Sequence, residues 1–357
     1  MRITSWVFEA PGKPMVPLER DVQPGRGEVL VQVAGCGVCH TDLGFVYGGV
    51  RTRHPLPLCL GHEVSGRVVE AGTDAESWLS KDVIVPAVIP CGRCAACKAG
   101  RASVCPHQVF PGNDVHGGFA THLAVPARGL CRVPDLLDPG KNPSGADLQS
   151  LSVIADAVST PYQAVRQSGL GEGDLAVFVG VGGVGGFGVQ IAKAFGAEVV
   201  AVDVDDERLD ALSRYGASVT IGSAAIEANE VKNRVRAFAG EHDIPSWRWR
   251  IFETSGSPSG QMTAYSLLVP GSYLGVVGYT PEKIELRLSN LMAFDATARG
   301  NWGCPPEHYP EVLELVLSGR VAVEPFVDKR PLGTINETFE ALEAHELKTR
   351  PVLVPEV

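Results

Sequence analysis

Four cysteines, Cys91, Cys94, Cys97 and Cys105, follow the spacing C-x2-C-x2-C-x7-C, with Gly92 and Gly100 inside the loop. Thiolates held so close together suit one tetrahedral zinc, and four protein ligands leave no open position for a substrate. The spacing predicts a structural metal in a loop, residues 90–106, without a helix or apolar core of its own. Metal would supply the folding energy of such a loop. On ligand type alone an iron–sulfur cluster also satisfies the pattern. A second set of metal-ligating residue types is scattered: Cys39 in GCGVCHTDLG, His62 and Glu63 in LCLGHEVSG, and Asp156 opening DAVSTPYQA. One thiolate, one imidazole and one carboxylate would leave a fourth position for water or a substrate oxygen, as a catalytic zinc needs. Each of these residues also has a plain structural explanation. A cysteine beside valine is commonly core, and a His-Glu pair is commonly hydrogen-bonded. Glycines at 35, 37, 61 and 66 point to tightly shaped loops around them.

The third chemical feature is a glycine turn. Residues 176–203 read AVFVGVGGVGGFGVQIAKAFGAEVVAVD, a strand, a turn, a helix and a second strand ending in an acid. Gly180, Gly182 and Gly185 form a GxGxxG, with Gly183 and Val184 completing the turn. Gly180 makes the bend, Gly182 lets the backbone approach a pyrophosphate, and Gly185 lets helix and strand close up. The helix N-terminus offers unpaired N–H groups to the phosphates. Asp203 lies eighteen residues past Gly185, where its carboxylate can accept hydrogen bonds from an adenosine ribose. GxGxxG alone arises by chance in a chain with 41 glycines, but strand, helix and acid are independent requirements and all are met. A carboxylate there repels a 2′-phosphate, and Val204, Asp205 and Asp206 supply no nearby cation. NAD is expected over NADP.

These features need two different scaffolds. With 357 residues the chain suggests two domains. The first part reads as all-β, with short strands at 6–9, 29–34, 64–70, 82–85 and 119–125, long loops and no helical periodicity of any length. Residues 135–150 are rich in Pro, Gly, Asp and Ser and read as a connection. Helices and strands then alternate: a strand at 175–179, a helix at 206–215, a strand at 219–221, a helix at 225–239, a strand ending at 252–253, a helix near 260–268 and a strand at 273–277. With the strand at 199–202 these are five placed strands, and the alternation predicts a doubly wound sheet of six. Residues 307–317 read as one more amphipathic helix, and the tail turns strand-like around 326 and 352–354.

The formal net charge of −10 disfavours nucleic acid or an anionic membrane as partner. The four-cysteine loop likewise lacks the dense flanking basic residues of a nucleic-acid module. Residues 1–10 have no long apolar core, and no run reaches transmembrane length, so the cytoplasm is the expected location. Nine cysteines with four of them clustered fit metal binding in a reducing compartment better than disulfides. Cys36, Cys59, Cys131 and Cys304 are expected to be buried small hydrophobes.

Together, GVCHTD at 37–42, GHE at 61–63, the four-cysteine loop, STPYQA at 159–164 and GVGGVG at 180–185 resemble the zinc-dependent medium-chain alcohol dehydrogenase family over essentially the whole chain. The resemblance implies an α/β plus β fold: a GroES-like β-barrel catalytic domain at 1–155, a Rossmann NAD-binding domain at 156–296, and a segment at 297–357 completing the first. It implies two zinc ions per chain, one catalytic and one structural, and an NAD-linked enzyme with its substrate in the cleft between domains. By resemblance Cys39 and His62 are catalytic-zinc ligands, and Glu63 is the glutamate behind the metal that can enter its shell. Asp156 falls where many members have a second cysteine and some polyol-type members a carboxylate. Asp42 resembles the acid that orients a ligand imidazole. Thr41 resembles the hydroxyl that relays the substrate proton. His40, Thr160 and Val277 fall at cofactor-contacting positions. Gly44 stands where many members end the relay in a histidine. Members form homodimers and homotetramers.

Residues 85–92, 110–122 and 300–317 further resemble a subgroup that oxidises the ring secondary alcohol of 6-hydroxycyclohex-1-ene-1-carbonyl-CoA to the 6-oxo thioester in anaerobic benzoyl-CoA degradation. A CoA thioester needs cations, and Arg248 and Arg250 in GEHDIPSWRWR are the candidates, against the plain reading of a strand edge with solvated arginines. The other expectations are a dehydrogenase of free secondary alcohols or polyols and, more remotely, a non-catalytic NAD-binding or structural protein.

Overall fold

The computed structural model describes residues 1–356. The chain forms two compact units, one from Met1–Ser159, Gly303–Gly319 and the tail from Val323, the other from Thr160–Trp302 with Arg320–Ala322. In the first unit the strands Val327–Pro331, Arg350–Val354, Glu28–Gly37, Glu63–Ala71, Asp82–Val85 and Cys131–Arg132 neighbour one another in that order, and His122–Pro126 also pairs with Glu28–Gly37. A separate three-stranded sheet joins Val16–Asp21, Arg2–Phe8 and Leu58–Cys59. Val29, Val31 and Val33 alternate inward along their strand and meet Val64 and Val68 from its antiparallel neighbour in one apolar core. This is the GroES-like β domain expected from the sequence.

The tail strand has a positional role. It runs antiparallel to the end of Glu28–Gly37, with Val352 opposite Gly37 and Leu353 opposite Cys36. Arg350 is thereby brought to the segment that leads into Cys39. The expectation of no helix in this half is corrected by His40–Val46. Its two turns are too short to show a period, and it is nucleated locally: Asp42 accepts from the Cys39 N–H at 3.0 Å.

The second unit holds six parallel strands in the order Val219–Gly222, Glu198–Asp203, Leu175–Val179, Trp249–Glu253, Tyr273–Val276 and Thr297–Gly300. All five residues of Leu175–Val179 are buried, as a central strand requires. Strand order reverses between Leu175–Val179 and Trp249–Glu253, the switch point where open α/β sheets bind ligands outside their carboxyl ends. The sheet is the doubly wound, Rossmann-type fold anticipated. Thr297–Gly300 carried no sequence signal because all four residues are exposed. Among the described residues, no helix is long and apolar enough to cross a membrane.

Candidate active site

The four cysteines of the loop converge. Their sulfurs all lie within 4.8 Å of one another, with Cys94 Sγ 3.5 Å from Cys97 Sγ and 3.7 Å from Cys105 Sγ. Tetrahedral zinc–sulfur bonds of about 2.3 Å place sulfurs about 3.8 Å apart, so the set fits zinc as it stands. The loop does carry a helix, against the expectation of none: Ala95–Lys98, one turn long and capped by Cys94, whose sulfur accepts from the Cys97 N–H. The backbone N–H of Arg93, followed by that of Cys94, helps hold the Cys91 thiol down at about 6, which favours a thiolate.

The scattered set converges too. Ligand atoms of Cys39, His62, Glu63 and Asp156 lie within 4.8 Å of one another. Asp156 Oδ2 is 3.8 Å from Cys39 Sγ and 3.6 Å from His62 Nε2. Asp42 ties the first two segments: one oxygen accepts from Cys39 N, and the other accepts from Gly61 N at 3.2 Å and lies 3.5 Å from His62 Nδ1. His62 therefore turns Nε2 toward Cys39 and Asp156, while buried Nδ1 has no hydrogen bond of normal geometry. Burial opposes charge on this imidazole, but Asp42 and Asp156 outweigh it and push its pKa well above the ordinary value. The pocket favours a positive charge, and its mixed sulfur, nitrogen and oxygen donors suit zinc. Phe110 packs edge-on against His62 with centroids 5.0 Å apart. Thr41 Oγ1, on an exposed residue, is 3.6 Å from Cys39 Sγ.

Glu63 is held back by a partner that sequence reading missed. Arg350 grips it bidentately, Nε to Oε2 at 2.7 Å and Nη2 to Oε1 at 2.6 Å, with both side chains buried. Oε1 also accepts from Ala157 N at 2.9 Å. Burial raises the Glu63 pKa against the pull of Arg350. A Cβ at Gly37 would sit 2.0 Å from Glu63 Oε2, so the glycine of GVCHTD makes room for this carboxylate. Arg350 lies 287 residues away in sequence, and nothing local advertises the pair.

In the second unit the fingerprint sits at the carboxyl end of Leu175–Val179. Gly180 has φ +88°, and a Cβ there would lie 2.4 Å from Ser255; one at Gly185 would lie 2.0 Å from the Gly180 carbonyl. Around Gly182 the space is open, the nearest atom to a Cβ being Arg208 Nη1 at 3.9 Å. A tight turn with one open glycine before the helix Gly185–Ala194 fits a pyrophosphate. Gly183 and Val184 lie between them. Asp203, buried at its strand end, accepts from Val181 N at 2.6 Å and Asp205 N at 3.0 Å. Val277 follows the neighbouring strand and donates to the Glu253 carbonyl at 2.9 Å. The Thr160 carbonyl accepts from Asn301, whereas His40 belongs to the other unit, at the start of its helix.

Past Val204, Asp205 and Asp206 the first cation is Arg208, which the helix Asp206–Leu212 brings beside Gly182, paired with Asp205 Oδ2 at 3.8 Å. Arg248 and Arg250 stand at the start of the strand Trp249–Glu253, at the end of the sheet opposite the glycine turn. Trp249 and Arg250 pair with Leu175 and Ala176, the first residues of the central strand, about 13 Å from the fingerprint at ~3.3 Å per residue. Arg248 Nε bonds Asp174 at 2.7 Å and its Nη2 bonds the Glu172 carbonyl at 2.5 Å. Arg250 reaches the same Asp174 at 3.8 Å and the Trp247 carbonyl at 2.8 Å.

Comparison with known proteins matches both units. Residues 25–135 match the alcohol dehydrogenase GroES-like domain family, and residues 183–318 match the zinc-binding dehydrogenase family. The chain is 31% identical over 330 residues to an alcohol dehydrogenase of Geobacillus stearothermophilus, covering 92% of this chain and 91% of that protein. It is 31% identical over 358 residues to an NAD-dependent alcohol dehydrogenase of Sulfolobus acidocaldarius, covering 96% of each. The crystal structure of an alcohol dehydrogenase from Aeropyrum pernix superposes with a TM-score of 0.87 at 29% identity, covering 99% of this chain and all of that one.

Proposed function

We propose that this chain, which belongs to the zinc-dependent medium-chain alcohol dehydrogenase family, oxidises a small free secondary alcohol or polyol. Its cofactors are NAD and two zinc ions. The observation that carries the reading is the convergence of Cys39, His62 and Asp156 with Glu63, whose carboxylate Arg350 engages, in the same unit as the separate four-thiolate set. Bound zinc supplies a Lewis acid that lowers the cost of deprotonating an alcohol, and NAD supplies the hydride acceptor.

The chain's own residues do the rest. Asp42 fixes the orientation of His62. Glu63, gripped by Arg350, stands behind the three donors and anchors Ala157 beside Asp156. Thr41 Oγ1 accepts the substrate hydroxyl's hydrogen bond and passes the proton on; Gly44, without a side chain, leaves that proton to water or the cofactor ribose. Gly180, Gly182, Gly183, Val184 and Gly185 cradle the pyrophosphate, and Asp203 takes the adenosine ribose. His40, Thr160 and Val277 complete the cofactor contacts. The enzyme acts in the cytoplasm as a homodimer or homotetramer.

The finer reading, 6-hydroxycyclohex-1-ene-1-carbonyl-CoA as substrate, draws on residues 85–92, 110–122 and 300–317. Arg248 and Arg250, offered for CoA, each pair with Asp174, which weighs against that role. The two readings part on a substrate panel followed at the nicotinamide absorbance band. The panel holds that thioester, its free acid, simple secondary alcohols, butanediol and sorbitol. Free alcohols are expected to match or exceed the thioester in kcat/KM. A preference for the thioester of about a hundredfold, ~2.7 kcal/mol of transition-state binding, would reverse the assignment.

A further inference from the structure

Tyr309 is a fully buried phenol that the scheme above does not use. It opens the helix Tyr309–Leu317, within the segment that returns to the first unit. A phenylalanine ring would fill the same space, and a hydroxyl taken out of water is costly unless it finds a partner. Here Oη donates to the carbonyl of Ala155 at 2.5 Å, across 154 residues of sequence. Ser159 Oγ lies 3.3 Å from Oη and 3.2 Å from the same carbonyl. The Ala87 N–H points at that carbonyl too, at 3.3 Å. Three donors on one backbone oxygen are more than its two lone pairs need.

The place of that oxygen gives the cluster its meaning. Ala155 ends the 3-10 helix Ser150–Ala155, and Asp156 follows it with φ −142° and ψ −58°. On the far side of Asp156, the Ala157 N–H is held by Glu63. The peptide units on either side of Asp156 are thus each fixed by a side chain from a distant segment. Burial raises the Tyr309 pKa well above its ordinary value, so the phenol stays a donor. We infer that Tyr309 is a positioning residue for the metal cluster: through the Ala155 carbonyl it fixes the turn that aims Asp156 at Cys39 and His62. The inference rests on the reading of Cys39, His62 and Asp156 as zinc ligands. A carboxylate can ligate through one oxygen or two, so its aim decides the coordination more than a thiolate's would.

The test compares Tyr309→Phe, Ser159→Ala and Asp156→Ala with the unchanged holoenzyme. Zinc release to a chromogenic chelator is timed, and the visible spectrum of the cobalt-substituted protein identifies which site is affected. Tyr309→Phe should release the mixed-donor metal about tenfold faster, the scale expected for partners of metal ligands. It should shift that site's cobalt bands and leave the four-thiolate bands unchanged. Ser159→Ala should act in the same direction more weakly. Release and spectra unchanged in Tyr309→Phe would overturn the inference. Equal weakening of both sites with a lower Tm would overturn it too, reducing Tyr309 to core packing. Asp156→Ala separates the two levels. Retention of both zinc ions in that variant would remove the ligand reading itself. Loss of one zinc there, with Tyr309→Phe unaltered, would remove only the role of Tyr309.

Discussion

The two metal-ligating clusters of this molecule are built in opposite ways. Cys91, Cys94, Cys97 and Cys105 come from one short loop, tied by the backbone bonds of a four-residue helix. Cys39, His62 and Asp156 come from three segments, and Asp156 is 117 residues from Cys39. Asp42, three residues from Cys39, accepts from that residue's N–H and lies 3.5 Å from His62 Nδ1, while Glu63 with Arg350 holds the Ala157 N–H beside Asp156. The first cluster carries its geometry in its own spacing and has no ligand position to spare. The second borrows its geometry from the whole β domain, and its fourth donor, Glu63, is already engaged by Arg350; a catalytic zinc needs such a position left to substrate. Exchange of a soft thiolate for the harder Asp156 carboxylate should also make its metal the more easily lost of the two.

Breaking each cluster in turn should separate the two roles. His62→Ala is expected to drop zinc from two ions per chain to one and to lower alcohol oxidation at least about a thousandfold, ~4 kcal/mol. Far-ultraviolet circular dichroism should be retained. Cys94→Ser should also cost one zinc, but the damage should be local: residues 90–106 become the first site of proteolysis, while the remaining zinc still supports oxidation. Metal analysis, assay and limited digestion of the two variants check the pair.

The anchors allow a finer cut. Arg350→Met leaves Glu63 buried without its cation, an arrangement that costs about 3–5 kcal/mol of stability. Denaturant titration should show that loss, and the mixed-donor zinc should become labile while the four-thiolate zinc stays. The smallest effect is expected at Arg248. Its side chain is 40% exposed and pairs with Asp174, at the end of the parallel sheet opposite the glycine turn. Arg248→Ala should cost no more than about 1 kcal/mol in stability. It should change KM for a CoA thioester and for a free alcohol alike; a selective rise for the thioester would return Arg248 to substrate binding.

The same contrast decides what was legible in the sequence. The four-cysteine loop and the glycine turn with Asp203 are local constellations, so spacing alone carries their chemistry. The mixed-donor set could be assembled from residue types, but Cys39 taken singly looks like core and His62 with Glu63 like an ordinary hydrogen-bonded pair, and they come together only when strands 28–37 and 63–71 pair. Arg350 and Tyr309 were invisible. Each acts across more than 150 residues, and an arginine in a tail strand or a tyrosine at a helix start has no local mark of its partner. The helix His40–Val46 was missed because a two-turn element depends on its cap rather than on a period.

The most direct test of the whole account is staged zinc removal by a chelator, with zinc per chain, NAD-linked alcohol oxidation and circular dichroism followed on the same samples. The account predicts two stages. The first zinc to leave takes all the activity with it and leaves the fold intact, and the second leaves more slowly with local unfolding around residues 90–106. Activity that survives the loss of the first zinc, or that falls in proportion to total zinc through both stages, would contradict the division of labour between the two clusters.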